Sequence, residues 1–310
     1  MPLNLRLKTG QATDHTIPID LRGLSVGINA NLDASQIAEL MICVGKRSVP
    51  MKECFAISGD AGSDREFILS GDLSNVHSIG RGITGGSIFA ESTKVGRHVG
   101  TAMSGGNITV GGDVGGFLGA EMTGGTIRVT GDAGDFVAAA LEGAKYGMNR
   151  GEIFVEGNAG VGLGKRMRRG TIVVGGDVGE LAAWSMLAGT IVVLGSASAP
   201  APAKTAAGIV RGTVILAGDD QRFGANNDSE VRDADGSLLG AAFSTGNRSS
   251  DEQPQIVRFL AHWLSKNSPK SLAETVEQKL LGGTFVKYNG GELNQNRAEI
   301  FVRLPDASAT

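Results

Sequence analysis

The sequence is poor in the residues that support several common kinds of site. Only 2 of its 310 residues are cysteine, too few for a disulfide framework, a four-thiolate zinc site or an iron–sulfur cluster. Its 29 basic residues are balanced by 32 acidic ones, whereas a nucleic-acid-binding surface needs a basic excess. No apolar run approaches the ~20 residues of a membrane span, and the first residues lack the basic-then-apolar order of a signal peptide. We therefore expect a cytoplasmic protein that binds neither nucleic acid nor membrane.

Glycine, by contrast, is abundant. It accounts for 48 of the 310 residues, about twice the ~7% of an average protein. A collagen triple helix is excluded because glycine does not recur at every third position. A flexible linker is excluded because the glycines are interleaved with isoleucine and valine. The remaining explanation is a structural repeat with tight turns.

The repeat is visible as the phrase Gly-x-Ile-x-Val and its close variants. Apolar residues alternate within each unit, as at Ile108 and Val110, which is the period of a β-strand. Methionine or isoleucine stands three residues before each start, as at Met103, and we expect it to fill a corner of the core. The steps between starts are 20, 19, 26, 19, 19 and 23 residues, and the starts are Gly86, Gly106, Gly125, Gly151, Gly170, Gly189 and Gly212.

A turn of constant composition follows each strand. In Gly112-Asp113-Val114-Gly115, for example, the glycines allow sharp bends and the aspartate is predicted to bond its own following backbone. The equivalent acidic or amide residues are Asp60, Asp72, Asp132, Asn158 and Asp177. Calcium binding is disfavoured, because calcium-binding β-rolls use a nine-residue phrase.

These patterns predict an all-β fold, a right-handed parallel β-helix of the GxxGxxxG solenoid type with about 19 residues per rung. The β-helix is predicted over residues 55–218. Residues 1–54 are predicted to form a small α-containing N-terminal cap, with Asp33 as the N-cap of its helix. Residues 219–310 are predicted to form a C-terminal tail of loop, helices and a final strand, Glu299–Leu304. The helix around Trp263 is predicted either to cover the far end of the β-helix or to dock a partner.

The units of the form Met-x-Gly-Gly-x-Ile-x-Val-x-Gly-Asp-x-Gly, together with the helix-bearing start, resemble a known family. They are similar to the C subunit of formylmethanofuran dehydrogenase, a family that includes the C subunit of the bacterial formyltransferase/hydrolase complex. Representative segments are Met103–Gly106, Met122–Gly125 and Met167–Gly170. The resemblance covers about residues 30–218. The repeat by itself also resembles the C-terminal domain of the glutamate synthase large chain.

The resemblance implies a non-catalytic scaffold in a hetero-oligomeric complex of one-carbon metabolism. Its partners would be catalytic sibling subunits of amidohydrolase-like, formyltransferase or molybdopterin type. The bacterial complex moves a one-carbon unit from a formylated pterin through a furan cofactor to formate. By this reasoning the chain holds no catalytic residue, no metal and no cofactor of its own. The furan cofactor (methanofuran or methylofuran) belongs to the complex, and metals belong to the sibling subunits.

One cluster of charge is a candidate site. Lys165, Arg166, Arg168 and Arg169 lie close in sequence, with Lys145 and Arg150 about one unit away. Arginine binds carboxylates bidentately, so this cluster is predicted to hold the polyglutamate arm of the furan cofactor or to contact another subunit. A solvated bend is the plain structural alternative. The four histidines, His15, His77, His98 and His262, show no metal-ligand spacing.

Two other functions remain open at this point. A stand-alone β-helix enzyme acting on acidic substrates would need carboxylates at outward strand positions. The outward positions are instead mostly apolar and free of carboxylates, which predicts that they are covered by a partner subunit. They are Thr109, Arg128, Phe154, Val173, Val192 and Ile215. The third possibility is a spacer module like that of glutamate synthase.

Overall fold

The computed structural model describes most of the chain and all of its repeat units apart from one loop. The described ranges are 2–9, 17–24, 32–59, 65–197, 205–218, 231–232, 238–240, 244–245, 254–289 and 297–304. The predicted loop over residues 219–254 falls mostly outside them, as do Asp60 and His15. No helix in these ranges is both long enough and apolar enough to cross a bilayer.

The strands are numbered in chain order. They are β1 (Leu3–Leu7), β2 (Ile19–Asp20), β3 (Met41–Val44), β4 (Arg47–Pro50), β5 (Phe55–Ser58), β6 (Glu66–Ser70), β7 (Val76–His77), β8 (Thr84–Glu91), β9 (Lys94–Val95), β10 (Gly105–Val110), β11 (Asp113–Val114), β12 (Thr126–Val129), β13 (Glu152–Val155), β14 (Thr171–Val174), β15 (Thr190–Val193), β16 (Gly212–Leu216), β17 (Val231–Arg232), β18 (Leu238–Gly240), β19 (Ser244–Thr245), β20 (Phe285–Asn289) and β21 (Ala298–Arg303).

The helices lie at the two ends of the sequence. They are α1 (Ala34–Ala38), α2 (Met51–Cys54), α3 (Gln255–Asn267) and α4 (Lys270–Val276), and a π-helical turn, Glu277–Leu281, follows α4. Asp33 is the N-cap of α1, as predicted, and forms a capping box with Gln36. The predicted last strand is confirmed as β21.

One sheet of 13 strands dominates the fold, in the order β19-β20-β21-β16-β15-β14-β13-β12-β10-β8-β6-β1-β5. The strands of the repeat pair in parallel and in register, so that Ile108, Ile127 and Ile153 lie side by side. The sheet is antiparallel at both ends. At one end β5 pairs with β1, and at the other β20 pairs with both β19 and β21. The sheet as a whole is therefore mixed.

The prediction of an all-β, right-handed parallel β-helix is wrong. The structure has a mixed parallel and antiparallel sheet, with helices packed against it, instead of a parallel solenoid. The physical reason is that the repeat dictates only the pairing of its own strands. The segments on either side lack the repeat, and they add antiparallel strands at the sheet ends and helices on the sheet face.

The main core is built from the alternating positions of the repeat. Ile127 and Ile153 are fully buried, and the predicted corner methionines, such as Met122, are fully buried beside them. Short parallel bridges between turns, such as Val114–Ala133 and Ala133–Ala159, bring a second set of apolar side chains into the same core. This interior is continuous and apolar, so we look for a candidate binding site at the surface.

The aspartates of the turns make bonds that the sequence did not predict. Asp132 accepts the backbone N–H of Asn158 at 2.7 Å, and Asp177 accepts that of Ser196 at 2.7 Å, in each case from the next unit of the repeat. Among the turn residues that the structure describes, Asp72 alone makes the expected local turn, by accepting the N–H of Ser74. For Asp113, Asp132, Asn158 and Asp177 the prediction of a local bond is wrong, because the equivalent turn of the next unit lies within hydrogen-bond distance. Asp60 lies outside the described residues.

The outer face of the sheet is covered by the chain's own C-terminal helices. Phe154, Val173, Val192 and Ile215 are completely buried. They form a second core with Leu264 of α3 and with other apolar residues of α3, α4 and the π-helical turn. The prediction that these four positions are covered by a partner subunit is wrong. Helix α3 covers this face instead of the far end of the sheet.

Candidate anion-binding site

The backbone of the repeat sets the positions of the candidate site. Each unit starts at a glycine. The residue two positions before this glycine donates its backbone N–H to the carbonyl of the corner methionine in the preceding unit. These bonds run from Arg168 to Met148 (2.8 Å), from Leu187 to Met167 (2.7 Å) and from Val210 to Met186 (2.8 Å). Three successive pairs, Arg168-Arg169, Leu187-Ala188 and Val210-Arg211, are thereby stacked along the sheet.

A pocket of about 400 Å³ lies over these pairs. Its lining is Tyr146, Arg168, Arg169, Leu187, Ala188, Val210 and Arg211. The unit in the middle contributes only aliphatic side chains, and Ala188 is the smallest of them. Arginines therefore stand at both ends of an aliphatic floor, and the methyl group of Ala188 leaves the space between them open.

Tyr146 forms one wall of the pocket and is surrounded by cations. The Arg168 guanidinium lies 4.8 Å from the centre of its ring, and Lys145 Nζ lies 5.2 Å from it. The hydrogen bond from Lys145, followed by the charges of Lys145, Arg168 and Arg166, lowers the pKa of the Tyr146 hydroxyl from its ordinary value. The side of the pocket that carries Tyr146 therefore favours a negative charge.

The arginines of the pocket carry charge that nearby carboxylates do not neutralise. Within the described ranges, no Asp or Glu forms an ion pair with Arg168, Arg169 or Arg211. Arg168 and Arg169 are exposed, as is Arg211. Guanidinium groups at the two ends of an aliphatic floor suit an anion with at least two carboxylate or phosphate groups joined by a short apolar part.

The structure brings together only part of the predicted cluster. Arg168 and Arg169 line the pocket, whereas Lys165 faces a different surface, with Nζ 4.4 Å from the ring of Trp184 and 5.7 Å from that of Phe136. Arg166 does not line the pocket, although its charge acts on Tyr146. Arg166 adopts a left-handed conformation (φ 56°), and its backbone bonds to Trp184 O at 3.1 Å.

Sequence reasoning missed Tyr146 and Arg211 as members of this site. Arg211 immediately precedes Gly212, just as Arg169 precedes Gly170 and Ala188 precedes Gly189. An alignment of the repeat by these glycines would have placed Arg211 next to Ala188 in spite of the 23-residue step. Tyr146 lies in the insertion of the longest unit, and no equivalent position in the other units points to it.

The described histidines and cysteines do not line this pocket. His77 Nδ1 accepts the backbone N–H of Arg97 at 2.9 Å, and the His98 ring stacks on Phe117 at 4.9 Å. Burial is the main cause that lowers the pKa of both imidazoles. Cys43 and Cys54 are both free thiols. In the described part of the chain, no three His, Cys, Asp or Glu side chains are grouped so that they could hold a metal ion.

Comparison with known proteins gives a match to a solved structure over nearly the whole chain. No family model matches the chain, and no curated protein does. Among solved structures, the chain is similar to a chain in the crystal structure of the formyltransferase/hydrolase complex from Methylorubrum extorquens in complex with methylofuran. The TM-score is 0.70 at 27% sequence identity, and the match covers 96% of this chain and 98% of the other. The resemblance expected from the repeat is thereby confirmed: this chain is similar in sequence and structure to a subunit of a formyltransferase/hydrolase complex.

Proposed function

We propose that this chain is a non-catalytic structural subunit of a formyltransferase/hydrolase-type complex that transfers one-carbon units. The observation that carries the proposal is the match to a chain of such a complex, because it extends over nearly the full length of both chains. The match reaches well beyond residues 30–218, so the tail that follows the repeat is shared as well. The solved structure favours this type of complex over the dehydrogenase.

The described fold supports a structural role. The inner strand positions are filled by fully buried aliphatic side chains, such as Ile172 and Ile191, and the outer positions from Phe154 onwards are filled by α3, α4 and the π-helical turn. A large sheet filled on its inner side, and covered on its outer side from β13 onwards, is a stable frame on which other subunits can be mounted. In this proposal, amidohydrolase-like and formyltransferase subunits carry the metals and the chemistry, and the furan cofactor is held by the assembly.

The experiment is affinity purification of the tagged full-length chain from its native source. We expect three larger polypeptides to co-purify in stoichiometric amounts, and formyl transfer and hydrolysis to be found only in the assembly. A lone, monodisperse chain that hydrolyses substrate would overturn the proposal. Mass spectrometry of the intact assembly gives the stoichiometry directly.

The pocket supports a second proposal, that this subunit holds an anionic group. We propose that Arg168, Arg169 and Arg211 bind the carboxylates of the furan cofactor's polyglutamate arm, with Leu187 and Ala188 under its aliphatic part. The spacing of the cations across an aliphatic floor supports this assignment over a plain solvated bend. An acidic segment of a neighbouring subunit is the other occupant that this chemistry fits.

Calorimetric titration of the purified chain with tetraglutamate tests the pocket. Replacing Arg168 and Arg169 together by glutamine is expected to weaken binding at least tenfold. The matched control is Lys46→Gln with Arg47→Gln, which removes the same charge from two exposed residues where the β3–β4 turn meets β4, far from the pocket in sequence. Equal weakening by the two double variants would show a general charge effect and overturn the pocket assignment. Loss of a co-purifying polypeptide without loss of tetraglutamate binding would identify a contact between subunits.

A further inference from the structure

Helix α3 has two apolar sides, and only one of them is used by the fold. Val257, Leu260, Ala261 and Leu264 point into the second core and are buried. Phe259 does not: its side chain is 65% exposed, the largest exposed fraction among the large hydrophobic residues of the described chain. Packing of α3 on the sheet therefore does not account for a phenylalanine at this position.

Phe259 is the centre of a continuous apolar stripe. Ile256 lies three residues before it and Trp263 four residues after it, so all three lie on one side of the helix. Ile256 and Trp263 are each half-buried, because one edge of each packs against the second core. The stripe thus continues from the core out to the solvent. An aromatic residue at the centre of such a patch is the kind of anchor that dominates the binding energy of protein interfaces.

The charged side chains of α3 itself are basic. Helix α3 contains Arg258, His262 and Lys266 and has no aspartate or glutamate. His262 and Lys266 lie three and seven residues after Phe259, which places both beside the stripe, and both are exposed. A second copy that presented the same helix would supply no carboxylate from α3 to face His262 and Lys266, so it is a poor occupant. A partner with carboxylates around an apolar pocket is complementary.

We propose that Ile256, Phe259 and Trp263 form a docking surface for a sibling subunit of the complex. That subunit would receive the Phe259 ring in an apolar pocket with aspartates or glutamates at its rim, facing His262 and Lys266. This inference rests on the proposed function, because the occupant is a subunit of the same assembly. It assigns the helical tail two tasks, covering the sheet on one side and binding a partner on the other.

Affinity purification of tagged full-length variants from the native source tests the docking surface. Phe259→Asp is expected to reduce at least tenfold the recovery of one sibling subunit, whereas Phe259→Leu is expected to retain it. The matched control is Leu281→Asp, which places the same charge at another exposed apolar residue of the helical tail. Thermal unfolding of each variant checks that the fold is intact. Equal recovery with Phe259→Asp and the wild type would overturn the docking surface alone. Failure of the wild-type chain to recover any sibling would overturn the proposed function and this inference together.

Photocrosslinking identifies the occupant without a destabilising change. The full-length chain carrying Phe259→p-benzoylphenylalanine is irradiated in the native complex and in isolation. We expect a crosslink to one sibling subunit, at a site flanked by aspartate or glutamate, and its yield should fall when Lys266→Glu is added. A crosslink within the isolated chain, or one between two copies of it, would overturn the proposal. A crosslinked site on the sibling subunit without nearby carboxylates would overturn the charge complementarity on which the choice of partner rests.

Discussion

Asp132 Oδ1 accepts the backbone N–H of Asn158 at 2.7 Å, although 26 residues separate the two in sequence. The longest unit of the repeat lies between them, so the insertion that carries Tyr146 is accommodated without loss of register. Asp132 also donates its own N–H to Asp113 Oδ1 at 2.9 Å. One column of side chains therefore links the successive turns from Asp113 to Ser196.

Removal of one link in this column should destabilise the fold by a measurable amount. Asp132→Ala leaves the N–H of Asn158 without its acceptor, and we expect the free energy of unfolding to fall by about 1 kcal/mol. Asp132→Asn retains an acceptor oxygen at the same place, and it should lose less. Urea unfolding followed by circular dichroism measures both values. Equal destabilisation by the two variants would show that charge, not the hydrogen bond, matters at this position.

Glycines of the repeat should differ in their tolerance of alanine. At Gly119 (φ +59°) a new Cβ would meet the mobile end of Ile153, and the equivalent position Ala138 already holds alanine at φ 58°. We expect Gly119→Ala to cost about 1 kcal/mol, the strain of the left-handed conformation. At Gly106 (φ +81°) the Cβ would lie 2.7 Å from the backbone oxygen of Gly86, which cannot move away easily.

For Gly106→Ala we therefore expect a loss near the upper end of the usual range for single substitutions, about 3 kcal/mol. Denaturant unfolding of both variants gives the comparison. A smaller loss at Gly106 than at Gly119 would contradict the close approach of adjacent strands that the structure shows.

The sequence predicted those features that depend on like residues recurring at like positions. The buried isoleucines, the corner methionines and the cap at Asp33 follow from local pattern alone. The antiparallel ends of the sheet could not be predicted. β5 was included in the predicted β-helix over residues 55–218 but precedes the first regular repeat unit at Gly86, β20 follows the repeat, and the partners of both strands are chosen by the whole fold. The burial of Phe154 by the chain's own helices could not be predicted either. An apolar outward position does not reveal whether the residues that cover it come from the same chain or from a partner.

The candidate site, too, could be predicted only in part from the sequence. Arg168 and Arg169 could be predicted because they are a visible cluster. The pocket itself could not, since it depends on the small size of Ala188 between two arginine-bearing units. Lys165 belongs to the cluster in sequence but faces Trp184, because successive side chains at a bend point in different directions.

Tyr146 should report the charge of the pocket through its ionisation. Its pKa is lowered chiefly by Lys145 and further by Arg168, so its phenolate should form at lower pH than that of an ordinary tyrosine. Arg168→Gln removes a cation, and the pKa of Tyr146 should rise. Absorbance at the phenolate band during a pH titration measures this shift. Because the chain has 2 tyrosines, the variant Tyr146→Phe is needed to show which part of the absorbance change comes from Tyr146. An unchanged titration in Arg168→Gln would contradict the contact between the guanidinium and the ring.

His77 should make the fold sensitive to mild acid. Its Nδ1 accepts the N–H of Arg97, and protonation of that nitrogen would break the bond. Burial lowers the pKa of His77, with a smaller opposing effect from Asp20, so the unfolded chain takes up the proton at a higher pH than the folded chain. The associated stability is therefore fully present above the ordinary pKa of about 6.5. It is lost as the pH falls from there through the lowered folded-state value.

The variant His77→Asn separates this effect from general acid unfolding. Its amide oxygen is expected to accept the Arg97 N–H in place of Nδ1, and it does not titrate in this range. We therefore expect a shallower decline of unfolding free energy below pH 6.5 in the variant than in the wild type, with similar values near pH 8. Chemical unfolding at a series of pH values measures the two slopes. An identical decline in both proteins would show that His77 is not the group whose protonation destabilises the fold, because a residue that cannot take up the proton cannot contribute to the slope.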